Sequence, residues 1–337
     1  MTSPARSETP DVSILMLAYN HEPYIVQALE SILEQPLGVS IELIVGEDNS
    51  TDRTLEILRS TLDRYQVSIR ILTSEVNVGM GENFRRLVRA SRGRYIAFLE
   101  GDDYWLRPRL LHKQMKLLDE DPRLAFVYAD FDRASCIDGA WRILPQSIQR
   151  SAPLRRGDLF EELLDRIDIH LSTVLCRAML ARAYVDSDLF DPSLKLADVP
   201  LFLYLAAHGG VEALSESVSV YRHNPSSITQ VSGMSRLAVI RDHLVAVERF
   251  EDAFGSPPER RVPRQSRMRT VLTDAAYFAG DRSTFRKLQD RFSFKSLCRD
   301  LLMRFPLLHN AWLNRSQAEQ RRLFLQASVP PILTART

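Results

Sequence analysis

After a short polar stretch the chain enters a continuous apolar run, Val12 to Leu17, that passes into Ala18-Tyr19-Asn20. A run without polar alternation predicts a strand covered on both faces. Pro23 then opens a segment in which Ile25, Ala28, Leu29, Ile32 and Leu33 recur at the spacing of one helical face, and Pro36 closes it. Ile41 to Val45 repeats the strand signal. The polar turn that follows, Glu47-Asp48-Asn49-Ser50-Thr51-Asp52, offers N-cap chemistry to a helix with Leu55, Leu58 and Leu62 on its inner face. The alternation continues with a strand at Val67 to Leu72, a helix at Glu82 to Ala90 that turns Phe84, Leu87 and Val88 inward, and a strand at Tyr95 to Leu99. Short loops between alternating strands and helices require parallel strands joined by right-handed crossovers, hence a mostly parallel open α/β sheet with flanking helices.

The second half of the pattern is looser. It predicts a helix from Pro108 to about Glu120, a strand at Ala125 to Tyr128, a helix at Asp158 to Ile167, a short strand at Thr173 to Leu175, a helix at Asp198 to Ala207 and a strand at Val218 to Tyr221. Between Cys136 and Arg156 the signals are weak. From about Ser235 the periodicity is helical throughout, as in Leu237, Ile240, Leu244, Val247 and Phe250, with a break at Gly255-Ser256-Pro257-Pro258. The expected organisation is a disordered tail over 1–11, a sheet domain over 12–230 and an all-helical C-terminal module over 235–337.

Composition narrows the functional classes. With 45% apolar and 26% charged residues in 337, the chain is neither disordered, collagen-like nor a membrane bundle. The 44 Lys+Arg against 43 Asp+Glu leave no global field to attract nucleic acid, and no nucleic-acid partner is expected. Charge is unevenly placed, however. Pro257 to Phe324 holds 15 basic and 6 acidic residues, a local +9, so the remainder sums to −8. Cys136, Cys176 and Cys298 are too scattered for a zinc site or redox pair, which fits a reducing, cytoplasmic setting. No apolar run approaches the roughly 18–20 residues that cross a bilayer, and the N-terminus has no apolar signal region.

In parallel sheets ligands sit at the carboxyl ends of the strands, where the polar residues of this chain collect. Glu100-Gly101-Asp102-Asp103-Tyr104-Trp105 puts adjacent carboxylates after a buried strand. Such a pair repels itself unless a cation or water intervenes, and Mg²⁺ or Mn²⁺ is commonly held by one or two carboxylates plus polyphosphate oxygens. The plainer alternative is a solvated acidic turn capping the next helix. Glu47 and Asp48 end the second strand, where an acid can accept hydrogen bonds from a nucleotide. Tyr19, on the neighbouring loop, can stack on a base. Capping and ordinary packing explain each of these residues taken singly.

Together these segments resemble glycosyltransferase family 2. The resemblance runs from Val12 to about Tyr221 and rests on Ala18-Tyr19-Asn20, the run from Glu47 to Asp52, Asn77-Val78-Gly79 with Asn83, and Gly93 to Asp103. It implies a GT-A fold of Rossmann-like type, with a nucleotide-binding half over 12–130 and an acceptor half over 131–230. It further implies a metal-dependent inverting transferase that moves a sugar from a nucleotide-diphosphate donor to a hydroxyl of a glycan or lipid-linked acceptor, in cell-surface glycan or glycoconjugate biosynthesis. By similarity Tyr19, Glu47 and Asp48 contact the nucleotide, Asp102 lies near the ribose and diphosphate, and Asp103 ligates Mn²⁺ or Mg²⁺. Asp198, at a helix start, matches the place of the catalytic base, with Asp188 and Asp191 as alternatives. A simple N-cap is the competing explanation of Asp198. His223 matches a basic position near the diphosphate, and Arg222 competes for that role.

The chain departs from the family pattern in four places. Glu47 and Glu100 stand for aspartates, Asn49 stands for a glycine but tolerates positive φ, and Glu82 occupies a position that is commonly basic. Those departures keep open a catalytically silent sugar-nucleotide-binding or scaffold protein with a partner-recruiting helical tail. A nucleotidyltransferase would show a Gly-rich phosphate loop after the first strand, and none follows Leu17. The absence of a Gln-x-x-Arg-Trp motif argues against a processive synthase. The basic segment 257–324 suggests peripheral contact with the inner face of a membrane, or a helical partner.

Overall fold

A computed structural model describes residues 9–33, 39–62, 65, 69–107, 109–137, 139–149, 152–223 and 233–288. The expected tail up to Glu8, Pro36, the start of the Val67 strand, Pro108, the loop at 224–232 and the basic segment from 289 on lie outside these residues. The described residues form two compact units. One runs to Arg133 and resumes at Pro145–Arg222; the other comprises Ala134–Leu144 and the residues from His223 onward.

The first unit starts with β1 (Val12–Ala18), α1 (Ile25–Leu33), β2 (Ile41–Glu47), α2 (Thr54–Leu62), β3 (Ile69–Leu72), α3 (Met80–Ala90) and β4 (Tyr95–Glu100). Strands β3, β2, β1 and β4 lie side by side and all pair in parallel. β1 is buried at six of its seven positions, as its unbroken apolar run requires. On one face Ile14, Met16, Val45 and Leu99 meet Ile25, Leu29, Ile32 and Leu58 of α1 and α2. Phe84 of α3 stacks on Phe98 of β4 with ring centroids 5.6 Å apart. Burying a side chain of this size contributes about 1.5–3 kcal/mol.

Past β4 the sheet changes direction. The chain continues through β5 (Tyr104–Trp105), α4 (Leu110–Glu120), β6 (Leu124–Ile137), β7 (Ala140–Leu144), α5 (Phe160–Asp165), a 3₁₀ turn (Leu171–Thr173), β8 (Leu175–Arg177), α6 (Ala178–Val185), α7 (Asp198–His208) and β9 (Gly210–His223). The full order is β3-β2-β1-β4-β8-β6-β9-β5, with β7 paired to β6. β8 is antiparallel to both β4 and β6, and β5 is antiparallel to β9. The expected parallel arrangement thus holds for the first four strands. The weakly patterned stretch after Cys136 contains β7, which turns back on β6 at Gly139 with φ 76°.

One buried polar hub ties β1, β2 and β3 to the end of α3. Glu42 is 1% exposed and accepts hydrogen bonds from Ser13 Oγ and Arg92 N at 2.6 Å each and from Arg70 Nη2 at 3.1 Å. Burial alone would raise its pKa, but the bonds from Ser13 and Arg92 and the Arg70 charge more than offset this and lower it below 4.5. A carboxylate with a depressed folded pKa stabilises above its unfolded pKa and ceases to do so as pH falls through the folded value. Glu42→Gln is therefore expected to cost about 2 kcal/mol at pH 7. In thermal melts the gap from wild type should close as pH drops below about 4.5; a gap independent of pH would show that Glu42 acts by shape and not by charge.

The second unit contains α8 (Gly233–Phe254), α9 (Pro258–Ala279) and α10 (Arg282–Leu288). The break at Gly255-Ser256-Pro257 separates α8 from α9, with Gly255 at φ 81°. Leu237, Ala276, Tyr277 and Phe285 form its small apolar core. Arg264 and Glu251 are buried as a pair at 2.6 Å. No helix among the described residues is long and apolar enough to cross a membrane.

Candidate active site

Strand register brings the predicted acids to one edge. Ala18 pairs with Glu47, and Leu17 with Glu100, so β1, β2 and β4 end level with one another. Asp48 N donates to Ala18 O at 3.0 Å and Gly101 N to Leu17 O at 2.8 Å, which extends the alignment one residue past each strand. Tyr19, Asp48 and Asp102-Asp103 therefore leave the sheet side by side.

The loops after β1 and β2 are laced together. Asn20 N donates to Ser50 Oγ at 3.0 Å, Thr51 N to Asn20 Oδ1 at 2.8 Å and His21 N to Thr54 Oγ1 at 2.8 Å. Asn20 (φ 55°) and Asn49 (φ 57°) both adopt the left-handed conformation, which asparagine tolerates better than most residues. Asn49 thereby serves where the family pattern has glycine. Glu47 is buried and its Oε1 accepts from Ser50 N at 2.6 Å, closing the turn. Asp48 is also buried and accepts from Val78 N at 2.8 Å and Gly79 N at 2.9 Å, fixing the Asn77-Val78-Gly79 loop against β2. Tyr19 is 42% exposed at the rim, an amphipathic ring open to a ligand. The arginines after Glu82 are engaged locally: Arg85 pairs with Glu82, and Arg86 donates to Asn83 Oδ1 at 2.8 Å.

The acids after β4 are packed more closely than their sequence suggests. Asp103 is 1% exposed, and its Oδ1 accepts from Arg222 N at 2.8 Å. Its Oδ2 is buried without a hydrogen-bond partner among the described residues, and so is Glu100 Oε2. Burial above all pushes Glu100 up to about 8, with the charges of Asp102 and Asp198 adding to the effect. Burial, then Asp102 and Glu100, likewise raise Asp103 well above the ordinary carboxylate range. Two carboxylates crowded in this way, each with an oxygen that lacks a partner, fit a divalent cation, which both needs and relieves concentrated negative charge.

Three further groups line the cluster. His170 Nε2 lies 3.8 Å from Asp103 Oδ2. His21 Nε2 lies 3.7 Å from Asp102 Oδ1, and a Cβ on Gly101 would come within 2.6 Å of its ring. Burial lowers the pKa of His170 to about 4 and that of His21 in the same direction. Arg222 is buried at the end of β9, donates to Asp102 O at 2.6 Å and to Gln27, and lies over Tyr104 at 4.5 Å. Of the two basic candidates, Arg222 is set against Asp102 and Asp103, and His223 is the last residue of β9.

Asp198 is half-buried in the first turn of α7, its Oδ1 accepting from Val199 N at 2.8 Å, and its charge reaches Glu100. The segment before it docks on α3, where a Cβ on Gly81 would stand 2.4 Å from Pro192 O. Of the alternatives, Asp191 accepts from Ser193 N and Oγ in a local turn, and Asp188 is exposed. Sequence reasoning overlooked His170 and His21 and saw Glu100 only as a replaced aspartate. His21 had a signal, its place in the loop after β1. His170 had none, since it lies between two weakly patterned elements.

Residues 13–189 match the sequence model of glycosyl transferase family 2. That match covers more than half of the chain, which belongs to this family. An uncharacterised protein of Mycobacterium tuberculosis is 31% identical over 223 residues, 64% of this chain and 60% of that protein. The uncharacterised glycosyltransferase EpsJ of Bacillus subtilis is 27% identical over 226 residues, 66% of this chain and 64% of its own. The chain thus matches less than two thirds of the length of these relatives. Among solved structures, the mannosyltransferase PcManGT from Pyrobaculum calidifontis, in complex with GDP-Man and Mn²⁺, superposes with a TM-score of 0.57 at 17% identity, over 96% of this chain and 88% of that one. S. aureus TarS 1-349 in complex with UDP-GlcNAc superposes with a TM-score of 0.54 at 17% identity, over 87% and 79%. The fold is of the GT-A type found in these transferases.

Proposed function

We propose that this protein is a metal-dependent inverting glycosyltransferase that moves a sugar from a nucleotide-diphosphate donor to a hydroxyl acceptor in glycan or glycoconjugate biosynthesis. The observation that carries the reading is the convergence of Tyr19, Asp48, the Glu100–Asp103 cluster and Asp198 at the carboxyl edge of the parallel strands. The donors bound by the two structural neighbours support a nucleotide sugar as substrate.

In this reading Tyr19 stacks on the base, and Asp48, with the 77–79 loop it anchors, forms the wall beside it. Glu47 acts by holding the turn that presents Asp48. Asp102 faces the ribose and diphosphate, and Arg222 or His223 contributes positive charge on that side. Asp103 holds Mn²⁺ or Mg²⁺, beside Glu100; when bound, the cation offsets the charge developing on the departing diphosphate. Asp198 accepts the proton of the acceptor hydroxyl as that oxygen bonds to C1 of the sugar, the C1–O bond breaks, and its electron pair leaves with the diphosphate. Attack opposite the leaving group inverts the anomeric centre.

Thermal melts with UDP-, GDP-, dTDP- and CMP-sugars, with and without Mn²⁺, test the donor assignment. One nucleotide class should stabilise the protein by about 2.7 kcal/mol at a hundred times its Kd, and only with the cation. Transfer from that donor should stop with chelator. Stabilisation without transfer or donor hydrolysis, across a broad acceptor panel, would favour the silent binding protein instead. For the basic segment the reading retains an anionic membrane surface or a helical partner, supported by the exposed Arg260, Arg267 and Arg269 of α9 and checked by sedimentation of the full chain with anionic vesicles.

A further inference from the structure

We infer that His170 is a nitrogen ligand of the cation and biases the site toward Mn²⁺ over Mg²⁺; this rests on the metal-dependent reading above. The donor atoms of Glu100, Asp103 and His170 all lie within 4.8 Å of one another. Each acid also carries one buried oxygen, Glu100 Oε2 and Asp103 Oδ2, that has no hydrogen-bond partner among the described residues. The 3.8 Å from His170 Nε2 to Asp103 Oδ2 is too long for a hydrogen bond. It lies within the roughly 4.2 Å that two donors, each about 2.1 Å from one shared ion, can span.

The surroundings hold the imidazole in this pose. Its ring packs between Phe131 and Tyr221, at centroid distances of 5.1 and 4.4 Å. Nδ1 lies 2.7 Å from Ser172 Oγ, which in turn lies 2.8 Å from Ser219 Oγ. A proton on Nδ1, donated to Ser172 Oγ, leaves the Nε2 lone pair facing the acids, the arrangement that outer partners impose on metal-bound histidines. The Ser172 amide approaches the same Nδ1 at 3.4 Å and would favour the other tautomer, but it is much the longer contact. A mixed carboxylate and imidazole set suits Mn²⁺, whereas Mg²⁺ prefers oxygen ligands and retained water.

Pulsed electron paramagnetic resonance of Mn²⁺ bound to the full chain, with UDP or GDP present, reads the ligand directly. Wild-type protein should show a directly coordinated ¹⁴N that becomes ¹⁵N when the protein carries ¹⁵N-histidine. The coupling should persist in His21→Gln and vanish in His170→Gln, and the latter should bind Mn²⁺ at least about tenfold more weakly while its Mg²⁺ affinity changes little. If His170→Gln does not fold, a coupling that persists in both His21→Gln and His223→Gln still supports the inference, and one lost in His223→Gln overturns it. Mn²⁺ bound without a histidine coupling, or with one lost in His21→Gln, overturns the inference and leaves the transferase reading intact. Failure of Mn²⁺ to bind at all removes both.

Discussion

Asp198→Asn should lower kcat by about 10²–10⁴-fold, the usual contribution of a general base, while donor affinity stays near that of wild type. Asparagine keeps the oxygen that accepts from Val199 N at 2.8 Å, so the start of α7 is preserved and only the proton acceptor is lost. The comparison that decides is kcat against donor Kd, with Asp191→Asn as a control. Asp191 is engaged with Ser193 in its own turn, and its replacement should leave transfer within a few fold. Wild-type turnover in Asp198→Asn would exclude this residue as the base. A proportional loss of donor binding would instead assign it to the donor pocket.

The second large effect is expected at Asp103. In Asp103→Asn the amide oxygen can still accept from Arg222 N at 2.8 Å, so the seat of β9 against the cluster is retained. Its NH₂ group, however, replaces the buried Oδ2 that has no partner. Cation-dependent stabilisation by donor should disappear, and transfer should fall by about 10²–10³-fold, typical of losing one charge-stabilising group. The same change should raise the melting temperature of the protein measured in chelator, because a carboxylate pushed so far up by burial and by Asp102 and Glu100 opposes folding. A variant that loses function and stability together would point to a purely architectural role. One that keeps cation-dependent donor binding would move the cation to Asp102.

Much of the first unit was legible because its signals are local. The unbroken run of β1 predicted a strand covered on both faces, and six of its seven residues are buried. The spacing of Phe84, Leu87 and Val88 predicted the inner face of α3, and all three are buried. Positive φ at Asn49 followed from the chemistry of its side chain. The later strands were only partly legible. A four-residue strand was expected at Ala125 to Tyr128, and β6 runs to 14 residues; another was expected at Val218 to Tyr221, and β9 also has 14. Both carry polar residues along their length, so apolar runs mark only their most buried portions. β5 has two residues and exists because β9 pairs with it, a partner more than a hundred positions away.

The sequence by itself determined which elements form in the parallel half and which of their ends carry the acids, because strand and helix periods and capping chemistry act within a few residues. It could not determine how far those acids are buried or what faces them. The tertiary structure alone brought His170 from before β8 and Arg222 from the end of β9 to Asp103, and set Asp198 within electrostatic reach of Glu100. Antiparallel pairing and loop packing decide those approaches, and they join residues whose separation along the chain leaves no periodic trace.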